Sequence, residues 1–219
     1  MKLKKFEGNP ILSPTDANDW ESLVTCNPGV IYDDGTFYML YRAAGNDAEH
    51  VIRLGLATSK DGFHFERVSD MPAFGPSEDG PDSGCVEDPR IVKYDTEYYI
   101  TYAYRPYSPG QYWNFGHDEI LLPECGSDAP MALRKNLGNT GLAVTTDFRE
   151  FKRLGRLTSP VLDDRDVILF PEKVQGKYVM LHRPKEYIGG EYGVDYPSIW
   201  MKFSDDPVSY THLRAHETG

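Results

Sequence analysis

One unit is written three times along this chain. It opens with an X-Pro pair, runs through a short strand to a polar turn, and climbs a Tyr-rich strand to Arg. The first copy is Asn27-Pro28 through Asp34-Gly35 to Tyr38-Met39-Leu40-Tyr41-Arg42. The second is Glu87-Asp88-Pro89-Arg90-Ile91 through Asp95-Thr96 to Tyr98-Tyr99-Ile100-Thr101-Tyr102-Ala103-Tyr104-Arg105. The third is Leu169-Phe170-Pro171-Glu172-Lys173 through Gln175-Gly176 to Tyr178-Val179-Met180-Leu181-His182-Arg183. From Pro to Arg the copies measure 14, 16 and 12 residues. Asp-Gly between alternating strands is a strong hairpin signal, Gln-Gly marks the same turn, and Asp-Thr is weaker. A third apolar strand and a Ser/Thr-x-Asp tail follow each hairpin, over 54–65, 141–151 and 199–206. A short fourth strand would close each unit.

Four-stranded units recurring every 60 to 85 residues or so are the pattern of β-propeller blades. A β-sandwich has short strands too, but does not repeat one Pro-to-Arg unit. The sequence therefore predicts an all-β propeller, with blades at about 27–68, 87–154 and 167–206. No stretch keeps a helical period with caps; the best candidate, 16–22, is short. Fifteen Tyr and 10 Phe beside 20 Gly and 16 Pro agree with strands and turns. Two insertions interrupt the units. Residues 69–84 are a loop rich in Pro, Gly, Ser and acid. Residues 107–139 carry Tyr112, Trp113, His117, Glu124 and Arg134 and read either as a sugar-facing lid or as a packed surface excursion.

Charge narrows the partners. Against 34 acidic residues stand 23 Lys and Arg, a net −11, which excludes nucleic acid and anionic membrane surfaces as natural partners. No apolar run approaches the ~20 residues of a membrane span. The first ten residues have positive charge but no apolar core, so they do not read as a signal peptide. Cys26, Cys85 and Cys125 are odd in number and widely spaced, which fits a reduced, cytoplasmic setting. Self-association is left open.

In a propeller the innermost strands converge on the axis, so Asn27, Asp88 and the segment at Phe170 are expected to meet there, each X-Pro at an inner-strand start. Asp88 is the sharpest candidate, a carboxylate suited to general acid or base work on sugars; an Asp-Pro turn capping a strand is the plain alternative. Arg165, Lys173, His182 and Arg183 put four basic groups into 19 residues of an acidic chain. They suit an oxyanion such as phosphate. A salt-bridged edge with Asp163, Asp164, Asp166 and Glu172 is the other reading. GxSxG, HExxH and Gly-rich phosphate loops are absent, and His50, His64 and His117 lack metal-ligand spacing, so neither a metal nor an organic cofactor is expected.

Taken in order, Asn27-Pro28 with Tyr38 to Arg42, Val86-Glu87-Asp88-Pro89-Arg90-Ile91, and Leu169 to Lys173 with Leu181-His182-Arg183-Pro184 resemble glycoside hydrolase family 130, the β-mannoside phosphorylases. The match runs from about Asn9 to about Asp206 and leans to the branch acting on β-1,4-linked mannosyl-glucose. The resemblance implies a five-bladed propeller, of which this chain would hold about three blades. It implies inverting phosphorolysis: inorganic phosphate, the co-substrate, attacks the anomeric carbon of a small oligosaccharide and yields α-mannose 1-phosphate and glucose. Asp88 would be the proton donor, acting through a mannose hydroxyl. Asn27 and Arg42 would contact the mannosyl unit, with Arg105 beside them as the strand-end arginine of the second copy. Arg165, Lys173, His182 and Arg183 fall in the phosphate region. Residues 207–219 fit neither the unit nor the family and read as a foreign tail. Two other functions stay open. A propeller hydrolase of the arabinofuranosidase or mannosidase type would need two or three acids at blade starts, and a sugar-binding propeller would need none.

Overall fold

The computed structural model describes residues 2–111 and 122–209. Three antiparallel sheets carry the chain in sequence order. The first is β1 (Val24–Asp33), β2 (Thr36–Ala44), β3 (Arg53–Ser59) and β4 (Glu66–Arg67). The second is β5 (Cys85–Tyr94), β6 (Glu97–Arg105), β7 (Asn139–Thr145) and β8 (Lys152–Arg156). The third is β9 (Ile168–Leu169), β10 (Tyr178–His182) and β11 (Trp200–Ser204), with no fourth strand among the described residues. Within each sheet, neighbours in sequence are neighbours in space. Among the described residues helix is confined to a 3₁₀ turn at Asp19–Glu21, inside the segment singled out above, and to one turn, α1 (Met131–Arg134).

The turns follow from their residues. Asp34 and Gly35 both take positive φ (43° and 72°), as do Gln175 and Gly176 (52° and 79°). These are the left-handed pairs that a two-residue hairpin requires. In the second hairpin only Asp95 is left-handed, since Thr96 is β-branched and resists that region.

The X-Pro pairs are not at strand starts. Asn27-Pro28 and Asp88-Pro89 sit inside β1 and β5, at bulges where two residues face one on the partner strand. Pairing runs Cys26 to Arg42 and then Gly29 to Leu40, so Tyr41 faces both residues of the first bulge. It runs Glu87 to Ala103 and then Arg90 to Thr101, so Tyr102 faces the second. Proline has no N–H to offer a ladder, and a bulge is where a sheet tolerates that loss. Asn27 (φ 44°) and Asp88 (φ 53°) take the left-handed backbone that Asn and Asp tolerate best. The repeat also slips between copies. Arg42 pairs with Cys26, just before the first bulge, whereas Arg105 pairs with Cys85, two residues further from the second.

The sheets pack face to face. Leu40, Leu56, Tyr98, Ile100 and Phe148 form one cluster between the first and second sheets. Leu142, Leu157, Val167, Leu169 and Met180 form another between the second and third. Met39, Tyr41, Ala43 and Ala57 face the other way and are covered by Ile11, Leu12, Trp20 and Phe65. Of residues 207–219, described to Ser209, Val208 packs onto the second of these clusters.

A buried acid locks each sheet. Glu21, fully buried, accepts hydrogen bonds from Tyr41 (3.0 Å) and from Arg67 Nε (2.9 and 3.0 Å). Asp82 accepts from Tyr102 (3.1 Å) and from Arg153 Nε (2.8 Å). In the third sheet Asp164 pairs with His182 Nδ1 (2.6 Å). Each acid stands six residues before the X of an X-Pro pair: Glu21 and Asn27, Asp82 and Asp88, Asp164 and Phe170. Burial and the adjacent carboxylate push both tyrosine hydroxyls well above their ordinary pKa, so they stay donors. The rings lie against glycines of the third strands, Gly55 opposite Tyr41 and Gly141 opposite Tyr102. A Cβ on Gly141 would come within 2.5 Å of the Tyr102 ring.

Gly141→Ala is therefore expected to lower the unfolding free energy by about 1–3 kcal/mol through overpacking. The readout is a lower urea midpoint at unchanged slope. A wild-type midpoint would mean that the sheet yields at this point.

Candidate functional site

The first two bulges bring their residues together. Asn27 Nδ2 donates to Asp88 Oδ1 at 2.9 Å, across 61 residues of sequence. This needs β1 and β5 in contact, and Gly29 permits it: a Cβ there would lie 2.5 Å from the Pro89 carbonyl oxygen. Arg42 Nη1 joins the pair, 3.0 Å from Asp88 Oδ1 and 2.7 Å from Glu87 Oε2. The bulge thus turns two consecutive acids to one guanidinium, where an unbroken strand would send them to opposite faces. Arg105 Nε lies 3.8 Å from the other oxygen of Glu87, and its Nη1 donates to the Asn136 carbonyl.

Burial opposes the charge on Arg42, but Glu87 and Asp88 outweigh it and hold its pKa above the ordinary value. Arg105 goes the other way: burial and the neighbouring Arg165 lower it. Cys26 is pushed up by burial and by Asp88 and Glu87, against the pull of Arg42, so its thiol is not an activated nucleophile.

From Asp88 the contacts continue into the third sheet. Arg90 Nη1 donates to the Asp88 carbonyl oxygen (3.0 Å) and Nη2 to Asp166 Oδ1 (3.2 Å). Arg183 Nη2 holds the other oxygen of Asp166 at 2.6 Å. Burial alone would raise the Asp166 pKa, but Arg183, Arg90 and Arg165 outweigh it and lower it. Arg165 reaches Asp163 through Nε (2.8 Å) and Nη2 (3.1 Å), with Lys185 on the same carboxylate at 3.0 Å. Beside Arg90 a cavity of about 410 Å³ opens between the second and third sheets. Its other lining residues include Ile91, Val92, Ile168 and Leu169, and neither Asp88 nor Asp166 belongs to it.

Asn27, Arg42, Asp88 and, through Glu87, Arg105 thus form one group, and Arg183 joins it through Asp166 and Arg90. Lys173 stands apart. Its Nζ lies 4.3 Å over the Tyr178 ring, at the turn end of β10, while Arg183 follows the other end. Five residues of strand separate those ends by about 17 Å. His182 is buried, with Nδ1 on Asp164 and its ring edge-on to Tyr187. Phe170 takes no part in the Asp88 group; its carbonyl accepts the Tyr94 hydroxyl. Of the long insertion, Tyr112, Trp113 and His117 lie outside the described residues. Its first residues cross to the opposite loop, where Gly110 N–H donates to the Glu49 carbonyl (3.1 Å) and Gln111 Nε2 to that of Asp47 (2.5 Å).

Sequence reasoning missed Glu87 between two arginines and Arg90 as the link, whereas the salt-bridged reading of the basic group is observed for Arg165 with Asp163, His182 with Asp164 and Arg183 with Asp166. Glu87 and Arg90 flank Asp88 in the chain, and the X-Pro pair was the available signal, since a bulge puts adjacent residues on one side. For Asp166 the sequence offered the pairing with its own unit but not the one with Arg90, which comes from another sheet.

Truncating Arg42 leaves Glu87 buried with only the more distant Arg105. Arg42→Ala is expected to cost about 3 kcal/mol of stability, the lower end for breaking a buried ion pair. Arg42→Lys should lose less. Both are read by chemical denaturation, and equal losses would show that the charge itself contributes nothing.

A family model described as beta-1,4-mannooligosaccharide phosphorylase, of glycoside hydrolase family 130, matches residues 2–113. The chain is 35% identical over 216 residues to a 1,2-beta-oligomannan phosphorylase of Thermoanaerobacter sp. (strain X514), covering 94% of this chain and 58% of that protein. It is 30% identical over 197 residues to a beta-1,2-mannobiose phosphorylase of the same organism, covering 84% and 55%. The chain thus spans under three fifths of these relatives' own lengths. In fold it resembles a crystal structure of a putative glycoside hydrolase from Parabacteroides distasonis, with TM-score 0.66 and 23% identity, covering 96% of this chain and 59% of that one. With half of its residues matched by the family model and its Glu-Asp-Pro-Arg bulge at the centre of the described site, the chain belongs to glycoside hydrolase family 130.

Proposed function

We propose that this chain carries the mannoside- and phosphate-binding part of an inverting β-mannoside phosphorylase. One observation carries the reading. A single guanidinium, Arg90, touches the backbone of Asp88 and the side chain of Asp166, which in turn holds Arg183. The candidate acid and the candidate anion site are therefore next to each other. Phosphate is itself the nucleophile, so no second carboxylate is needed to activate water.

In this mechanism an oxygen of phosphate attacks the anomeric carbon from the face opposite the leaving sugar. The C1–O bond to that sugar breaks, inversion gives α-mannose 1-phosphate, and the departing oxygen takes a proton. Asp88 supplies it through a hydroxyl of the mannose ring. The geometry supports the assignment: Oδ1 of Asp88 is held by Asn27 and Arg42, and Oδ2 has no hydrogen-bond partner among the described residues. One oxygen orients the carboxyl group while the other is free to carry the proton. Asn27, Arg42 and Arg105 line the sugar side; Arg90, Arg165 and Arg183 serve the phosphate. Lys173 and His182 remain with the phosphate region only if binding moves them, since one lies at the distant turn and the other is buried.

The three face-packed sheets are proposed as consecutive blades of a five-bladed propeller, with units near 27–68, 87–154 and 167–206. The leaving sugar is open between two readings. The motif resemblance favours β-1,4-linked mannosyl-glucose, whereas both relatives named above act, by their names, on β-1,2-linked mannosides. A cytoplasmic setting agrees with three cysteines that form no disulfide.

Incubation with either mannoside and inorganic phosphate should release α-mannose 1-phosphate, followed by ³¹P NMR. Asp88→Asn should lower its formation by about 10²–10⁴-fold, the usual worth of a general acid. Sugar release at full rate without phosphate would replace phosphorolysis by hydrolysis. Binding without turnover would favour a sugar-binding propeller, and full activity of Asp88→Asn would remove Asp88 from the chemistry.

A further inference from the structure

Asp166 is an unexpected group to find between two arginines proposed to hold an anion. Its side chain is 41% exposed, as is that of Arg183, and Arg90 is exposed at 31%, so the trio borders solvent. Each carboxylate oxygen accepts one hydrogen bond, Oδ1 from Arg90 and Oδ2 from Arg183. A carboxylate can accept about four, so half of its capacity is unused. The arginines also have donors to spare: among the described residues Arg90 uses two N–H groups and Arg183 one side-chain N–H. Asp163 is different, since Arg165 and Lys185 already fill three of its positions.

An oxyanion that docks on the spare N–H groups of Arg90 and Arg183 must therefore meet the carboxylate of Asp166. Near neutral pH, inorganic phosphate always carries at least one P–OH, which can donate to that carboxylate. Sulfate is the same shape but carries no proton, so it would place oxygen against oxygen, both negative. We propose that Asp166 is the residue by which this site tells phosphate from sulfate: it accepts the hydrogen bond of the P–OH and repels an anion that has none. The proposal rests on the phosphate reading given above and adds the selection of the anion. A site that hydrogen-bonds a substrate hydroxyl discriminates against analogues lacking it, because its own polar group is left unpaired and, here, repelled. Partial exposure softens the effect through screening.

The test is calorimetric titration of inorganic phosphate and of sodium sulfate into the protein, at one pH and constant ionic strength. Wild type should bind phosphate at least about tenfold more tightly than sulfate. Asp166→Asn, whose amide can donate to either anion, should bring the two within about twofold, chiefly by tightening sulfate. Asp166→Glu should keep the preference. Unchanged thermal melting shows that the variants fold, with Asp166→Ser as substitute should the Asn variant not melt cooperatively. A wild-type ratio in Asp166→Asn, no discrimination by wild type, or binding of neither anion would overturn the proposal. Parallel mannoside assays keep the two readings apart. Discrimination without phosphorolysis would sink the proposed function and leave the anion selectivity standing. Phosphorolysis with an unchanged ratio would do the reverse.

Discussion

Contact between the backbones of β1 and β5 sets the rest of this arrangement. Gly29 lies against the Pro89 carbonyl at a distance that no side chain would allow, and the two bulges flank that contact. With the strands so close, Asn27 and Asp88 have little choice but to bond to each other. Arg42 then has two acids within reach, and Glu87 must share its charge between Arg42 and Arg105. A left-handed backbone at Asn27 and at Asp88 costs of order 1 kcal/mol each. The surrounding ion pairs and the packed sheets hold both in place.

Behind that contact, each sheet is braced by an acid inside it. Glu21 and Asp82 tie the tyrosine opposite the bulge to an arginine on the outermost strand, so the bulged inner strand is linked across the sheet to its edge. In the third sheet the tyrosine is replaced by His182, and the glycine that would accommodate it by Trp200. Asp164 there also accepts the Arg183 N–H, so the brace fixes the backbone from which that arginine reaches Asp166. In this sheet the brace thus joins the contacts around Asp166, whereas in the other two it stays apart from the Asp88 group.

The all-β architecture was legible because hairpin turns and alternating apolar strands are local. Asp34-Gly35 and Gln175-Gly176 dictate their own backbone, and the Tyr-rich strands follow from them. That Asn27 and Asp88 meet was legible because their X-Pro pairs hold the same place in the repeat. What stayed hidden is what depends on two sheets meeting. Asp166 finds Arg90 across 76 residues, and nothing near it in sequence announces that partner. Lys173 was grouped with Arg165 and Arg183 because it is close in sequence, yet a five-residue strand carries it to the opposite end. The brace acids were in principle readable, since each precedes its X-Pro pair by the same six residues. They escaped notice because a Glu, an Asp and another Asp do not look like one position until their partners are seen.

Glu87 has an electrical consequence. Glu87 offsets one of the two guanidiniums, Arg42 and Arg105, and the charge of the other rests on whether Asp88 holds its proton. On the other side, Arg90, Arg165, Arg183 and Lys185 stand among four acids, Asp163, Asp166, Asp164, which accepts the Arg183 N–H, and Glu186, which accepts the Asp163 N–H. The proton that the proposed chemistry moves is thus also the one that sets the charge of the Asp88 group.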